Sequence, residues 1–126
     1  MLIITSSIDK KEFQPFKNIF TLEILKKAAV QSLSGIGIDL KKSGKIPNTK
    51  LKKMDITSKG GAGRVIFLLE MNNYDIFLVM IRRKNDKKIG SNMTMKNKFF
   101  YQELEKNLDL ILHDLKNDDY IEYNLT

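Results

Sequence analysis

The sequence predicts a single α+β domain, on three observations. Two strongly apolar runs, Val65 to Met71 and Ile76 to Ile81, are separated only by the turn-forming Asn72-Asn73-Tyr74-Asp75, the pattern of a β-hairpin with strands buried on both faces. Apolar residues recur at three- and four-residue steps on either side of that hairpin, the mark of helices. The chain has 126 residues, 42% of them apolar, enough for one domain with a real core.

In chain order, Leu2 to Ser7 is short and β-favouring and reads as a first strand. Pro15 interrupts, and Phe13, Phe16 and Phe20 anchor the connection. Thr21 to Leu33 follows as a helix, with Thr21 as N-cap and Leu22, Leu25, Ala29 and Leu33 on one stripe. Gly35 and Gly37 break it. A second short helix, Ile36 to Lys42, is expected to stop at Ser43-Gly44. Ile46-Pro47-Asn48 is a turn. Lys50 to Thr57 is a strand with Lys50, Lys52, Met54 and Ile56 on one face and Leu51, Lys53 and Asp55 on the other. Ser58 to Gly63 reads as a glycine-rich loop and Lys84 to Asn92 as a polar, mobile one. The last helix runs from Thr94 to Lys116, with Phe100, Leu104, Leu108, Ile111 and Leu115 on its apolar stripe. Asn117 to Thr126 is a polar, partly aromatic tail with no assigned place.

Charge is concentrated at the centre. The window Lys41 to Lys98 holds fifteen basic residues against Asp55, Glu70, Asp75 and Asp86, a net +11 where the whole chain carries +7. Residues 99–126 carry −5, an acidic tail that can shield the centre in cis or serve solubility. A hairpin with positive charge at one end suits a polyanion. There is no cysteine, which removes disulfides and thiolate metal sites and fits a reducing compartment. No segment approaches a membrane span or a signal peptide, so a soluble, cytoplasmic domain without membrane contact is expected.

Familiar catalytic patterns are missing. The sole histidine, His113, suits a charge–dipole or packing role near a helix end, and no Ser-His-Asp order exists. SKGGAG lacks the Walker lysine and precedes a strand, so its two readings are a flexible turn or a loop that lets an RNA backbone approach the sheet. The remaining chemistry belongs to Lys and Arg at strand ends. Crowded, desolvated lysines lose affinity for their proton, and one could take a proton from a ribose 2′-hydroxyl. Arg64 and Arg83 could stabilise a pentacoordinate phosphate. Phosphate binding alone is the competing reading.

The succession KIPNTKLKKMDI, SKGGAGRVIFLL, IFLVMIRRKNDKK and a terminal helix resembles the RelE/HigB toxins of type II toxin–antitoxin systems, within the RelE/ParE superfamily, over Ser43 to Leu115. The resemblance implies a small antiparallel sheet packed against N-terminal helices and a C-terminal helix. It implies a metal-independent, ribosome-dependent endoribonuclease (an mRNA interferase that inhibits translation), with a cognate antitoxin and mRNA on the ribosome as partners and no metal or small-molecule cofactor. Carried over by position, the strand lysines fall on Lys50 and Lys52 or Lys53, the loop-adjacent arginine on Arg64, and the basic residue after the last strand on Arg83 or Lys84. Lys45, Lys59, Arg82, Lys87 and Lys88 are the accompanying RNA-binding candidates. The chain departs from the family where some members place a tyrosine or histidine after the last strand: Asn85 to Asn92 holds neither, and Tyr101 is the nearest candidate, so the general acid is unassigned. Two alternatives stand beside this: a ParE-like gyrase-inhibiting toxin, and a non-enzymatic basic RNA- or DNA-binding domain.

Overall fold

The computed structural model describes residues 1–40 and 45–125. Lys41, Lys42 and the expected helix stop at Ser43-Gly44 lie outside the described residues, as does Thr126. The elements in order are β1 (Leu2–Thr5), α1 (Ser6–Ile8), a π-helical turn (Asp9–Phe13), a 3-10 turn (Gln14–Phe16), α2 (Leu22–Leu33), β2 (Ile38–Leu40), β3 (Thr49–Ser58), β4 (Gly61–Glu70), β5 (Ile76–Arg83), α3 (Lys98–Lys116) and β6 (Tyr120–Tyr123). The six strands form one sheet in the order β2-β3-β4-β5-β1-β6.

The centre of that sheet is the expected hairpin, extended. β3 and β4 pair over their whole length, from Thr49↔Glu70 to Ser58↔Gly61, so the glycine-rich stretch is a tight turn at Lys59-Gly60 and the strand resumes at Gly61. Gly63 is required by packing: a Cβ there would stand 2.4 Å from Cζ of Phe20. That contact seats the segment before α2 on one face of the sheet, and Thr21 caps α2 by accepting from the Ile24 N–H at 3.4 Å. At the other end, the Glu70 carboxylate accepts from the N–H groups of Asn72 (2.9 Å) and Asn73 (2.7 Å), tying the turn into β5. Val65 to Leu69 and Ile76 to Ile81 are buried throughout, because helices and connections cover both faces.

Three expectations are corrected, and the unassigned tail gains a place. The sheet is mixed rather than antiparallel: β1 enters between β5 and β6 and runs parallel to β5, the Ile76 N–H donating to the Met1 carbonyl at 3.0 Å. Within the described part of Ile36 to Lys42 there is a strand in place of a helix, since Gly37 brings the chain against Met54 and Asp39 then pairs with Lys52. The tail contains β6: Asp118 takes a left-handed backbone (φ 51°) that turns Tyr120–Tyr123 alongside β1. The polar segment after β5 is not a loose loop but a strap laid on the sheet, with Ile89 and Met93 buried. α3 accordingly starts at Lys98, capped by the Asn97 side chain, which accepts from the Phe99 N–H at 3.1 Å.

Candidate functional site

Strand alternation alone sorts the central cations between the two faces of the sheet. Asp55, Arg64 and Arg82 are cross-strand partners and therefore share a face, with Lys53 one step along it. Lys50, Lys52 and Arg83 belong to the opposite face. The lysine candidates of β3 are thus divided, and only Lys53 is on the side of Arg64.

On the first face, Arg64 donates from Nε to Asp55 (3.3 Å) and from NH1 to the Gly90 carbonyl (2.9 Å). Lys53 donates to the Met93 carbonyl at 3.1 Å. Both heads therefore rest against backbone oxygens of the strap. Burial, together with the charge of Arg64, draws the Lys53 ammonium below the usual lysine range, and Asp55 only partly offsets them. The strap itself is held by side chains. Asp86 accepts from the N–H groups of Lys88 (2.9 Å) and Ile89 (3.4 Å), and the Asn97 amide donates to the carbonyls of Lys88 (3.0 Å) and Asn92 (2.8 Å). Gly90 lies so close to β5 that a Cβ would stand 1.8 Å from the Arg83 carbonyl oxygen. Only glycine lets the strap reach this depth.

Lys52 is committed elsewhere. It is 3% exposed, pairs with Asp39 at 2.8 Å and donates to the Gly35 carbonyl at 3.3 Å. Its hydrogen bond is the main reason the Asp39 carboxyl lies below its usual range. Lys50 lies 3.7 Å from the same carboxylate. Lys45 bridges to Asp109 (2.7 Å) and Glu105 (3.2 Å) on α3, which fixes the approach to β3 and raises its own proton affinity. Tyr101 is engaged with Glu105, which raises its phenol.

The end of the hairpin carries two clefts. One, of about 320 Å³, is bordered by Gly60, Gly61, Ala62, Arg83, Lys84 and Asn85, with Arg83 NH1 donating to the Gly60 carbonyl at 3.0 Å; Lys59 is exposed in the adjoining turn. The other, of about 470 Å³, opens between the strap and the first turns of α3 and takes in Arg82 and Lys88. Lys87 is exposed on the strap. Arg82 and Arg83 serve different clefts because consecutive strand residues face opposite ways.

Comparison with known proteins yields no relative. No protein-family model, curated protein or solved structure matches this chain. The functional reading therefore rests on the chain's own geometry. No helix among the described residues is long and apolar enough to cross a membrane. Among the same residues, no group of three or more His, Cys, Asp or Glu side chains is placed to hold a metal ion.

Sequence reasoning missed the residues that hold these cations. Asp55 could have been found, since a two-residue turn at Lys59-Gly60 sets it opposite Arg64. Glu12 could not. It is fully buried, accepts from the Ile81 N–H at 2.9 Å, from Arg82 and from the Asn107 amide at 3.1 Å, and so supplies the acceptor that β1 is too short to offer β5. Nothing local to Glu12 announces that role.

Proposed function

We propose that this chain is the toxin component of a type II toxin–antitoxin pair, a metal-independent endoribonuclease acting on mRNA at the ribosome, with Lys53 and Arg64 at its centre. The observation that carries this reading is the meeting of a lysine of lowered proton affinity with an arginine on one sheet face. The mixed α+β architecture and the concentration of positive charge at one end of the hairpin are compatible with it.

In this reading Lys53, once it has lost its proton, takes the proton of a ribose 2′-hydroxyl, and burial and the Arg64 charge favour that loss. The 2′-oxygen then attacks the adjacent phosphorus, the bond to the 5′-oxygen breaks, and that oxygen collects a proton from solvent. Arg64 meets the extra charge of the pentacoordinate phosphate with planar donors that never deprotonate. RNA entering the site would displace both heads from the strap, a phosphate oxygen replacing the Gly90 carbonyl on Arg64 and the ribose 2′-hydroxyl replacing the Met93 carbonyl at Lys53. Arg83 and Lys84, around the glycine turn, would hold the strand to one side. The partner in this reading is an antitoxin with an acidic or amphipathic segment that covers the basic face.

A second reading, an RNA-binding domain that cleaves nothing, is favoured by one observation: both central cations are already satisfied by the strap. Expression of the wild-type chain and of Arg64→Ala in cells, with transcript integrity and plasmid supercoiling both measured, separates the possibilities. The proposal expects growth arrest with shortened mRNA, unchanged supercoiling, and a loss of cleavage of about 100-fold or more in Arg64→Ala. Arrest with intact transcripts, or full cleavage by the variant, would overturn it.

A further inference from the structure

The 470 Å³ cleft between the strap and α3 has a chemistry that the proposed cleavage does not use. Its wall is the ring of Phe99, 48% exposed at the start of a long helix although nothing in helix formation asks for an aromatic there. The Lys88 ammonium stands 4.9 Å from the ring centroid. Lys106 stands at the border, 69% exposed. Gln102 offers an amide, and Arg82 and Glu103 also line the cleft.

The back of the cleft is pre-organised. The Arg82 guanidinium is fixed by fully buried Glu12, which is itself held by Asn107, whose amide also donates to the Val79 carbonyl at 2.8 Å. Glu103 is anchored through Oε2 to Lys11 at 3.0 Å, while its Oε1 has Lys106 at 3.6 Å, beyond hydrogen-bond range. Burial works to raise the Glu103 carboxyl, but Lys11, Lys106 and Arg82 together bring it below its usual range, so it is an acceptor throughout the neutral region.

An aromatic wall, a carboxylate oxygen with acceptor capacity, an amide and exposed cations at the mouth are the complements of a nucleotide. The ring stacks a base, and the lysines meet its phosphate. Lys88 can turn from the ring to that phosphate when a base covers Phe99. The carboxylate narrows the choice of base. Guanine presents two adjacent N–H donors on its pairing edge, whereas adenine and cytosine place a ring-nitrogen acceptor there and uracil a single donor between two carbonyls.

We propose that this cleft binds a guanine nucleotide, stacked on Phe99 with its pairing edge toward Glu103 and its phosphate between Lys88 and Lys106. The nucleotide can be one residue of a single strand or free guanosine monophosphate. In the strand form the site rests on the nuclease reading for its purpose, holding another nucleotide of the cleaved strand on the face that Arg82 shares with Arg64.

The test measures binding without cleavage. Fluorescent all-deoxy pentanucleotides dUdU-dG-dUdU and dUdU-dA-dUdU, which lack every 2′-hydroxyl, with GMP and AMP as competitors, are titrated against the wild-type chain and against Phe99→Ala, Phe99→Tyr and Glu103→Gln, with thermal melting confirming the fold. The guanine strand is expected to bind about 10-fold tighter than the adenine strand, Phe99→Ala to lose about 10-fold and Phe99→Tyr to keep wild-type affinity. Glu103→Gln is expected to erase the preference for guanine. Competition by GMP alone, with no strand preference, assigns the site to the free nucleotide. A preference below threefold for every guanine ligand, or a loss below threefold in Phe99→Ala, overturns the site. Failure of mRNA cleavage in cells with this binding intact would count against the nuclease reading alone.

Discussion

Lys52 and Lys53 are joined by a peptide bond and separated by the thickness of the sheet. Lys52 lies under the β2 edge, paired with Asp39 and almost wholly covered, while Lys53 lies on the face of Arg64 and reaches a strap carbonyl. The first is satisfied by an opposite charge. The second loses proton affinity to burial and to the like charge of Arg64, which Asp55 only partly offsets. Identical side chains one position apart thus become a structural pair and a candidate base, and pleat parity alone decides which is which.

The largest effect that would test this contrast comes from exchanging each lysine for methionine. Lys53→Met is expected to lower cleavage by about 100-fold or more, as loss of a general base does. Lys52→Met, which replaces a paired charge with an apolar chain of similar length, is expected to leave cleavage in place and move stability by about 1 kcal/mol or less, read from urea unfolding. Equal losses of activity in both would erase the distinction between the faces.

A second comparison sets Arg64 against Arg82, partners across β4 and β5. Arg64 leans on exposed Asp55 and a carbonyl, whereas Arg82 leans on buried Glu12. Glu12→Ala is therefore expected to cost about 3–5 kcal/mol, because it leaves a buried strand N–H without its acceptor and takes the buried carboxylate partner from both Arg82 and the Asn107 amide. A loss under 1 kcal/mol in chemical denaturation would mean that water replaces the carboxylate and that Arg82 is not fixed by it.

The smallest effect concerns the strap. Asn97→Ala removes the α3 cap and both bonds to the strap carbonyls, for an expected cost of about 1 kcal/mol. If the strap competes with RNA for Lys53 and Arg64, RNA affinity should rise in this variant while stability falls. Falling affinity would instead make the strap part of the binding surface.

How far these features could be read from the chain depends on how local their causes are. The hairpin, the Thr21 cap, the face assignment of β3 and the stripe of α3 all follow from periodicity and neighbouring residues, and each is seen in the structure. β2 and β6 are set by pairing at a distance. Gly37 and Asp118 provide the bends, but only the waiting edges of β3 and β1 make strands of three and four residues form. The strap looked like solvent-exposed loop because its sequence is polar. Asp86 and Asn97 spend their side chains on its own backbone, so Ile89 and Met93 can go under. The cleft at Phe99 was invisible for the related reason that its parts come from β5, the strap and α3.

The pairing of Lys53 with Arg64 is tested most directly by NMR titration of the lysine side-chain ammonium groups, in wild type and in Arg64→Met. Because a lowered value means the proton leaves earlier as pH rises, Lys53 should deprotonate below the other lysines. Its transition should move to higher pH when the arginine charge is removed. A Lys53 that titrates with the exposed lysines, or does not respond to the substitution, would contradict the account.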